Sequence, residues 1–365
     1  VTNLFDIPQW SLKQAEKEAT LFPALRDLTE AHYDRSPEYR KVLDAVWPLW
    51  REAQRLEDLP FLPVQLFKSH ELASVPPEKR KMTMTSSGTT GGAVSRIIVD
   101  TETSVLQAKS LTNVITAVIG KQRPPMLVLD SKEVIRDPKL LTARGAGVLG
   151  MMRYGRNHEF ALDHEMHLDR DRLRAFLSQS SSTPFFMFGF TFMVWLYLYE
   201  ALEDGEFDLS NGILVHSGGW KKLTDKAVDN ALFRENLKAR MGLTKIYNFY
   251  GMVEQMGSIF IEGEEHGALS APNVSDVIIR DPKTLAPLPV GEEGVIQVVS
   301  LIPRSYPGHS LLTEDIGAIV SVDSGRGGRF GKTLRVVGRL PKVELRGCSD
   351  VHADGLAARA SRVRS

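Results

Sequence analysis

A chain of 365 residues has room for one large domain or two modest ones, and its 42% hydrophobic and 25% charged side chains are those of a globular protein. The formal net charge of zero argues against a nucleic-acid or acidic-membrane partner, and the lone cysteine, Cys348, excludes an intrachain disulfide. The most apolar stretch, Phe185 to Tyr199, is fifteen residues long and contains Gly189 and Thr191. A membrane helix needs about 20. With no basic-then-apolar opening segment either, the expectation is a cytoplasmic chain without a membrane span.

In chain order, Gln9 to Tyr39 carries apolar residues at helical spacing and predicts a helix. Prolines at 60, 63, 76 and 77 then predict an extended connector, followed by the basic patch Lys79-Arg80-Lys81. Strands are expected at Ser95–Val99, Met126–Asp130, Phe185–Phe188, Ile213–Val215 and Lys245–Phe249. Helices are expected at Thr101–Val118, Asp169–Ser178, Phe192–Leu202 and Asp225–Met241. This alternation predicts α/β layers with a partly parallel sheet. After about residue 257 the pattern changes to short strands, at 258–261, 277–279, 295–299, 318–320 and 334–337. The expected organisation is a helical region and connector (1–84), an α/β nucleotide-binding core (85–256), a β-rich subdomain (257–340) and a hinge with a tail (341–365).

Residues 85 to 91, Thr-Ser-Ser-Gly-Thr-Thr-Gly, place four hydroxyls and two glycines in seven positions. Glycine lets the backbone approach a ligand, and hydroxyls with free N–H groups suit the phosphates of a nucleotide. A Ser/Gly linker is the alternative reading. The loop is not a Walker loop, because no Gly-Lys-Ser/Thr follows it. Tyr247-Asn248-Phe249-Tyr250-Gly251-Met252-Val253-Glu254 sets a flat aromatic, a glycine and a carboxylate at one strand-to-loop transition. A purine needs a π-face and Mg·ATP needs a carboxylate, and here one transition offers both. Core aromatics with a surface glutamate are the alternative.

Three other patterns fail their own requirements. Gly145-Ala146-Gly147-Val148-Leu149-Gly150 matches G-x-G-x-x-G, but no clear helix follows, so a turn or close backbone crossing is expected. Gly331-Lys332-Thr333 imitates the end of a Walker loop without the preceding spacing, and reads as a glycine-rich hairpin. His164 and His167 are three apart where a zincin needs four, and read as a solvated loop.

Four segments, with a fifth behind them, follow the order used by the acyl-adenylate-forming (ANL) superfamily. Thr85 to Gly91 resembles its phosphate loop, and His216-Ser217-Gly218-Gly219 its glycine-rich turn along the adenine. Asn248 to Glu254 resembles its aromatic-Gly-x-Thr-Glu motif. Leu312-Thr313-Glu314-Asp315-Ile316-Gly317 resembles the motif whose aspartate holds the ribose hydroxyls, and Val337-Gly338-Arg339 resembles the hinge Gly-Arg that reaches the nucleotide. The run Phe61 to Lys68, the segment His-Ser-Gly-Gly-Trp-Lys-Lys at 216–222 and the length resemble most the LuxE-type acyl-protein synthetases, across nearly the whole chain.

The resemblance implies the ANL large-domain fold, α/β with a β-rich subdomain, and a C-terminal lid that is absent or vestigial. It implies ATP and Mg²⁺ as cofactors, a fatty acid as substrate and an acyl-reductase as partner protein. Thr85, Ser86, Ser87, Gly88, Thr89 and Thr90 would hold phosphates. Ser217, Gly218, Gly219, Asn248, Phe249, Tyr250 and Gly251 would frame the adenine, Asp315 and Arg339 the ribose, and Glu254 the metal. Cys348 would carry the acyl group as a thioester, with Arg346 and Arg339 near it in sequence to favour the thiolate. The acid's tail would meet Phe188, Phe190, Trp195 and Met252.

Departures accompany the likeness. Gly92-Ala93 stands where Pro-Lys often follows the loop, and Val253 where many relatives have threonine. Only seventeen residues follow Cys348, too few for a lid with its lysine. Lys68, Lys342, or positioning with Mg²⁺ alone are the substitutes for that lysine. Two other functions are open at this level. One is a truncated adenylating ligase for an aromatic acid, similar to phenylacetate–CoA ligases, that passes its acyl group to CoA, an amine or another external acceptor. The other is a non-catalytic nucleotide-binding subunit.

Overall fold

The computed structural model describes residues 3–85, 94–136, 143–180, 183–220 and 227–340. Chain order begins with helices α1 (Gln14–Arg35) and α2 (Pro37–Val46), then strand β1 (Leu62–Pro63) and the short helix α3 (Leu66–Ser69). The hairpin β2 (Met82–Thr85) and β3 (Arg96–Val99) leads to α4 (Thr101–Ile119), β4 (Pro125–Ser131), α5 (Glu133–Arg136) and α6 (Ala143–Met152). Then come β5 (Arg156–Leu162), α7 (Arg170–Ser180), β6 (Phe185–Phe190), α8 (Thr191–Val194), β7 (Gly212–Ser217), α9 (Asn230–Met241) and β8 (Lys245–Tyr250). The remainder is strand: β9 (Phe260–Glu262), β10 (Leu269–Ser270), β11 (Ser275–Arg280), β12 (Gly294–Ser300), β13 (Ser310–Val322) and β14 (Lys332–Arg339).

One twelve-stranded sheet runs β11-β12-β13-β14-β10-β9-β8-β7-β6-β4-β5, with β1 added parallel to β13. Strands β5, β4, β6, β7 and β8 are parallel, and from β8 through β9 to β11 every pairing is antiparallel. The change from crossover helices to short turns near residue 257 is thus a change of pairing sense within one sheet. Parallel strands are covered on both faces, which explains their continuous apolar runs. Leu127, Leu129, Met187, Leu214 and Ile246 face Leu173, Phe176, Phe233 and Leu237 of α7 and α9. Met126, Val128, Phe186, Phe188 and Val215 face Val114, Ile115, Val148 and Met151 of α4 and α6.

The helices end where local chemistry dictates. Asp100 accepts the Thr103 N–H at 2.8 Å to cap α4, and Asp229 accepts that of Leu232 at 2.8 Å to cap α9. Gly242 closes α9 in the left-handed region, with φ +72°. The single helix expected over 9–39 is two helices. Ser36 is extended because Pro37 follows it, and Pro37 starts α2. Of the turn or close backbone crossing expected at Gly145–Gly150, the turn is overturned: these residues lie inside α6. Val148 and Met151 of α6 are buried against the sheet, and a Cβ at Gly147 would sit 3.4 Å from the Phe190 ring, which places the helix in contact with β6. The helix expected over 192–202 is α8 followed by a π-turn at Trp195–Tyr199, with Glu200 N–H on the Trp195 carbonyl.

Lys332 of the Walker-like triplet opens β14 after the hairpin and is a buried structural cation. With Lys17 of α1 it flanks Asp276 of β11, each at 3.7 Å, and Gln14 donates to the same carboxylate at 2.6 Å. In the segment 163–167, His164, Glu165 and His167 are exposed and Asp163 is half-buried, with Asp163, Glu165 and His167 near one another.

Candidate active site

The motif residues gather where β6, β7 and β8 end, the side of a parallel sheet on which ligands bind. Ser217 ends β7 in register with Phe249 and Phe190, and Gly218 follows at φ +84°, a turn open to glycine. Asn248, Phe249 and Tyr250 end β8, and Gly251 leads into a 3₁₀ turn at Val253–Gln255 that carries Glu254. Thr85 is exposed at the end of β2. Ser86, Ser87, Gly88, Thr89, Thr90, Lys342 and Cys348 lie outside the described residues.

Three separated motifs meet at one carboxylate. Tyr250 donates its hydroxyl to Asp315 Oδ2 at 2.7 Å, and Arg339 Nε approaches Asp315 Oδ1 at 3.2 Å. The register of β13 with β14 opposes Asp315 to Arg339 and so delivers the cation. Burial, then the adjacent carboxylate, pushes the Tyr250 phenol well above its ordinary value and keeps it a donor. Next door, Glu314 accepts from Gln65 at 2.6 Å and lies 3.6 Å from Lys68 Nζ, which sets α3 beside the Asp315 cluster.

Glu254 is 7% exposed, yet its carboxylate makes no hydrogen bond or ion pair among the described residues. A nearly buried anion of this kind favours a cation. Its backbone is held instead: Tyr306 donates to the Glu254 carbonyl at 3.0 Å. A Cβ at Gly308 would fall 2.9 Å from that carbonyl and 2.2 Å from the Tyr306 ring, so only glycine fits there.

Asn248 and His216 are register partners, so both project to one face of the sheet. His216 shares a hydrogen bond with Thr191 through Nδ1 at 2.9 Å, and burial pushes its pKa down to about 3. Its Nε2 and the Asn248 Oδ1 are buried and have no hydrogen-bond partner among the described residues, two such polar atoms in one layer.

The four expected tail-binding residues do not form one lining. Phe188 is packed in the core on the α4 side of the sheet, Trp195 stacks among Tyr199 and Phe233 on the other, and Met252 borders the core under the antiparallel half. Phe190 alone touches both cores of the parallel half. Sequence reasoning missed Glu262, Tyr306 and Glu314. The one available signal for Glu262 was an acid closing the apolar run Phe260-Ile261.

This fold recurs in solved structures of 2-hydroxyisobutyryl-CoA ligase. The complex with 2-HIB-AMP and CoA in the thioesterification state superposes with a TM-score of 0.70 at 17% identity, covering 92% of this chain and 72% of that one. An open conformation with 2-HIB-AMP and CoA gives 0.68 at 16%, covering 94% and 80%. The architecture is therefore that of the ANL ligases, and the chain is an acid ligase in class. Within that class it belongs to the LuxE acyl-protein synthetase family, which it matches over residues 4–357. A long-chain-fatty-acid–luciferin-component ligase from Vibrio harveyi is 25% identical over 353 residues, 93% of this chain and 89% of that protein. The protein of the same description from Aliivibrio fischeri is 23% identical over 350 residues. Among the described residues no helix is long and apolar enough to cross a membrane.

Proposed function

We propose that this chain activates a long-chain fatty acid with ATP as an acyl-adenylate, then passes the acyl group to the Cys348 thiol for delivery to a partner reductase. The observation that carries the reading is the convergence of Tyr250, Asp315 and Arg339 on one carboxylate, in a chain of the LuxE family. A carboxylate already oriented by a phenol and a guanidinium is prepared to receive two ribose hydroxyls. The unpartnered Asn248 Oδ1 is an acceptor suited to the adenine amino group, with the Tyr250 ring and Gly218-Gly219 framing the base. The loop from Thr85 to Thr90 would take the β- and γ-phosphates.

Glu254, nearly buried and without a cation partner among the described residues, fits Mg²⁺, which when bound supplies charge neutralisation at the phosphates. In the first step a carboxylate oxygen bonds to the α-phosphorus. The bond from that phosphorus to the bridging oxygen breaks, and pyrophosphate leaves with the electron pair. Lys68, 3.6 Å from Glu314, is the candidate among the described residues for the role of the lid lysine. In the second step the Cys348 thiolate attacks the acyl carbon, its proton having passed to solvent, and AMP leaves as the C–O bond breaks.

The test is incubation with ATP, Mg²⁺ and a panel of aliphatic and aromatic acids, followed by intact-protein mass spectrometry and AMP detection. The expected result is AMP release with one acyl mass on Cys348, largest for a long aliphatic acid and lost in Cys348→Ser. AMP or pyrophosphate without an adduct would move the acceptor outside the protein. Nucleotide binding without turnover on any acid would overturn the activation step.

A further inference from the structure

Glu262 is a buried acid that the proposed chemistry leaves unused. It closes β9, is 0% exposed, and takes all its partners from the elements around the nucleotide-binding candidates. The Asn248 backbone N–H reaches Oε2 at 2.7 Å, and Arg234 Nη1 of α9 lies 3.5 Å from the same oxygen. The Asn230 side-chain amide and the Gly267 N–H both reach Oε1 at 2.7 Å. Continuing the β8–β9 register beyond Phe249 and Ile261 sets Asn248 opposite Glu262. The side chain of Glu262 thus takes the Asn248 N–H itself.

We propose that Glu262 is a positioning residue for nucleobase recognition, acting through Asn248. A hydrogen bond to an ionised carboxylate is shorter and roughly twice as strong as a neutral one, so the Asn248 backbone is held harder than a ladder bond would hold it. The consequence falls on Asn248 Oδ1, which is buried and unpartnered in the register position next to His216. An acceptor fixed this way discriminates a base that carries an amino group from one that does not, because the wrong base leaves it unpaired. Glu262 also ties α9 and the segment at Gly267 to the same strand, so the reading edge is set by four chain segments at once. This inference rests on the reading of the site as an ATP site.

The test measures pyrophosphate release with a long-chain acid, using ATP and purine riboside triphosphate, which lacks the 6-amino group. The unmodified chain is expected to prefer ATP by ~10-fold in kcat/KM, the scale of one buried hydrogen bond. Glu262→Gln keeps the volume but turns one oxygen into a donor that faces the N–H groups. It is expected to bring the ratio close to one through KM for ATP, with KM for the acid unchanged. Asn230→Ala removes one donor to Glu262, is expected to give an intermediate ratio, and decides the matter if Glu262→Gln does not fold. A ratio near one in the unmodified chain, or an unchanged ratio in folded, active variants, overturns the inference while leaving ATP activation standing. No turnover by the unmodified chain with either nucleotide overturns the activation reading and this inference with it.

Discussion

Asp315 shows how much a single residue depends on distant ones. Its neighbours in sequence make it a candidate by resemblance but do not name its partners, which come from β8 and β14. Asp315→Asn keeps the shape and removes the charge that Tyr250 and Arg339 orient. The expected outcome is a rise of about tenfold in KM for ATP, since hydrogen bonds to charged groups contribute roughly 1.5–3 kcal/mol, with little change in KM for the acid. Steady-state kinetics with each substrate varied in turn checks this. At this scale Tyr250 and Glu254 stood out as candidates because nucleotide chemistry calls for an aromatic face and a carboxylate, whereas Asp315 and Arg339 became candidates only through the resemblance to the adenylate-forming motifs. Glu262 and Tyr306 were not among the candidates. A buried glutamate at a strand end and a tyrosine bonded to a carbonyl acquire their roles only from what packs beside them.

At the scale of elements, most strands and helices follow from period and punctuation, and the misses have physical causes. The long N-terminal helix divides at Ser36 because proline restricts the residue before it. The glycines at 145, 147 and 150 were read as a turn or a close crossing, yet they lie in α6, where burial of Val148 and Met151 against the sheet outweighs glycine's poor helix propensity. Helix α1 is fastened to the sheet by a buried charge cluster: Asp276 is fully buried between Lys17, 1% exposed, and Lys332, 7% exposed. Burial depresses the Lys17 pKa against the pull of Asp276, while Lys332, with Asp276 and Glu18 beside it, stays above its ordinary value. Removing one partner from such a cluster leaves an uncompensated buried charge, so Asp276→Ala should lower unfolding stability by about 3–5 kcal/mol. Arg174→Ala, which breaks the exposed pair with Asp171, should change it by less than ~1 kcal/mol. Urea unfolding of the two variants side by side measures the difference.

For the whole molecule, one sheet carries both the parallel half and the antiparallel half, and the candidate site lies where they join at β8 and β9. The core also stores a pH dependence. Burial holds His32 and His216 neutral, with pKa values pushed down to about 3, and pushes His309 well below its ordinary value. His32 stacks on His309 with Arg35 and Arg304 nearby, and His216 has Arg234 near it, so neighbouring cations act in the same direction as burial. A histidine neutral in the fold and protonated when unfolded contributes stability that is full above pH 6.5. It is lost as pH falls from 6.5 towards about 3, because the unfolded chain binds more protons. Each such group contributes about 1.4 kcal/mol per pH unit in that window. The urea midpoint should therefore be flat with respect to these groups from pH 8 to 7 and fall steeply between pH 6 and 4. A midpoint unchanged from pH 7 to 5 would show that these rings are not buried neutral. What the sequence by itself determined was the α/β alternation and the switch to short strands near residue 257, because both are written in local period and residue type; the ordered motifs carried the family resemblance. Only the tertiary structure decided that Asp315 meets Tyr250 and Arg339, that Glu262 grips Asn248 and that the aromatic residues divide between separate cores. Those facts rest on register and packing between segments far apart in the chain, which no local pattern encodes.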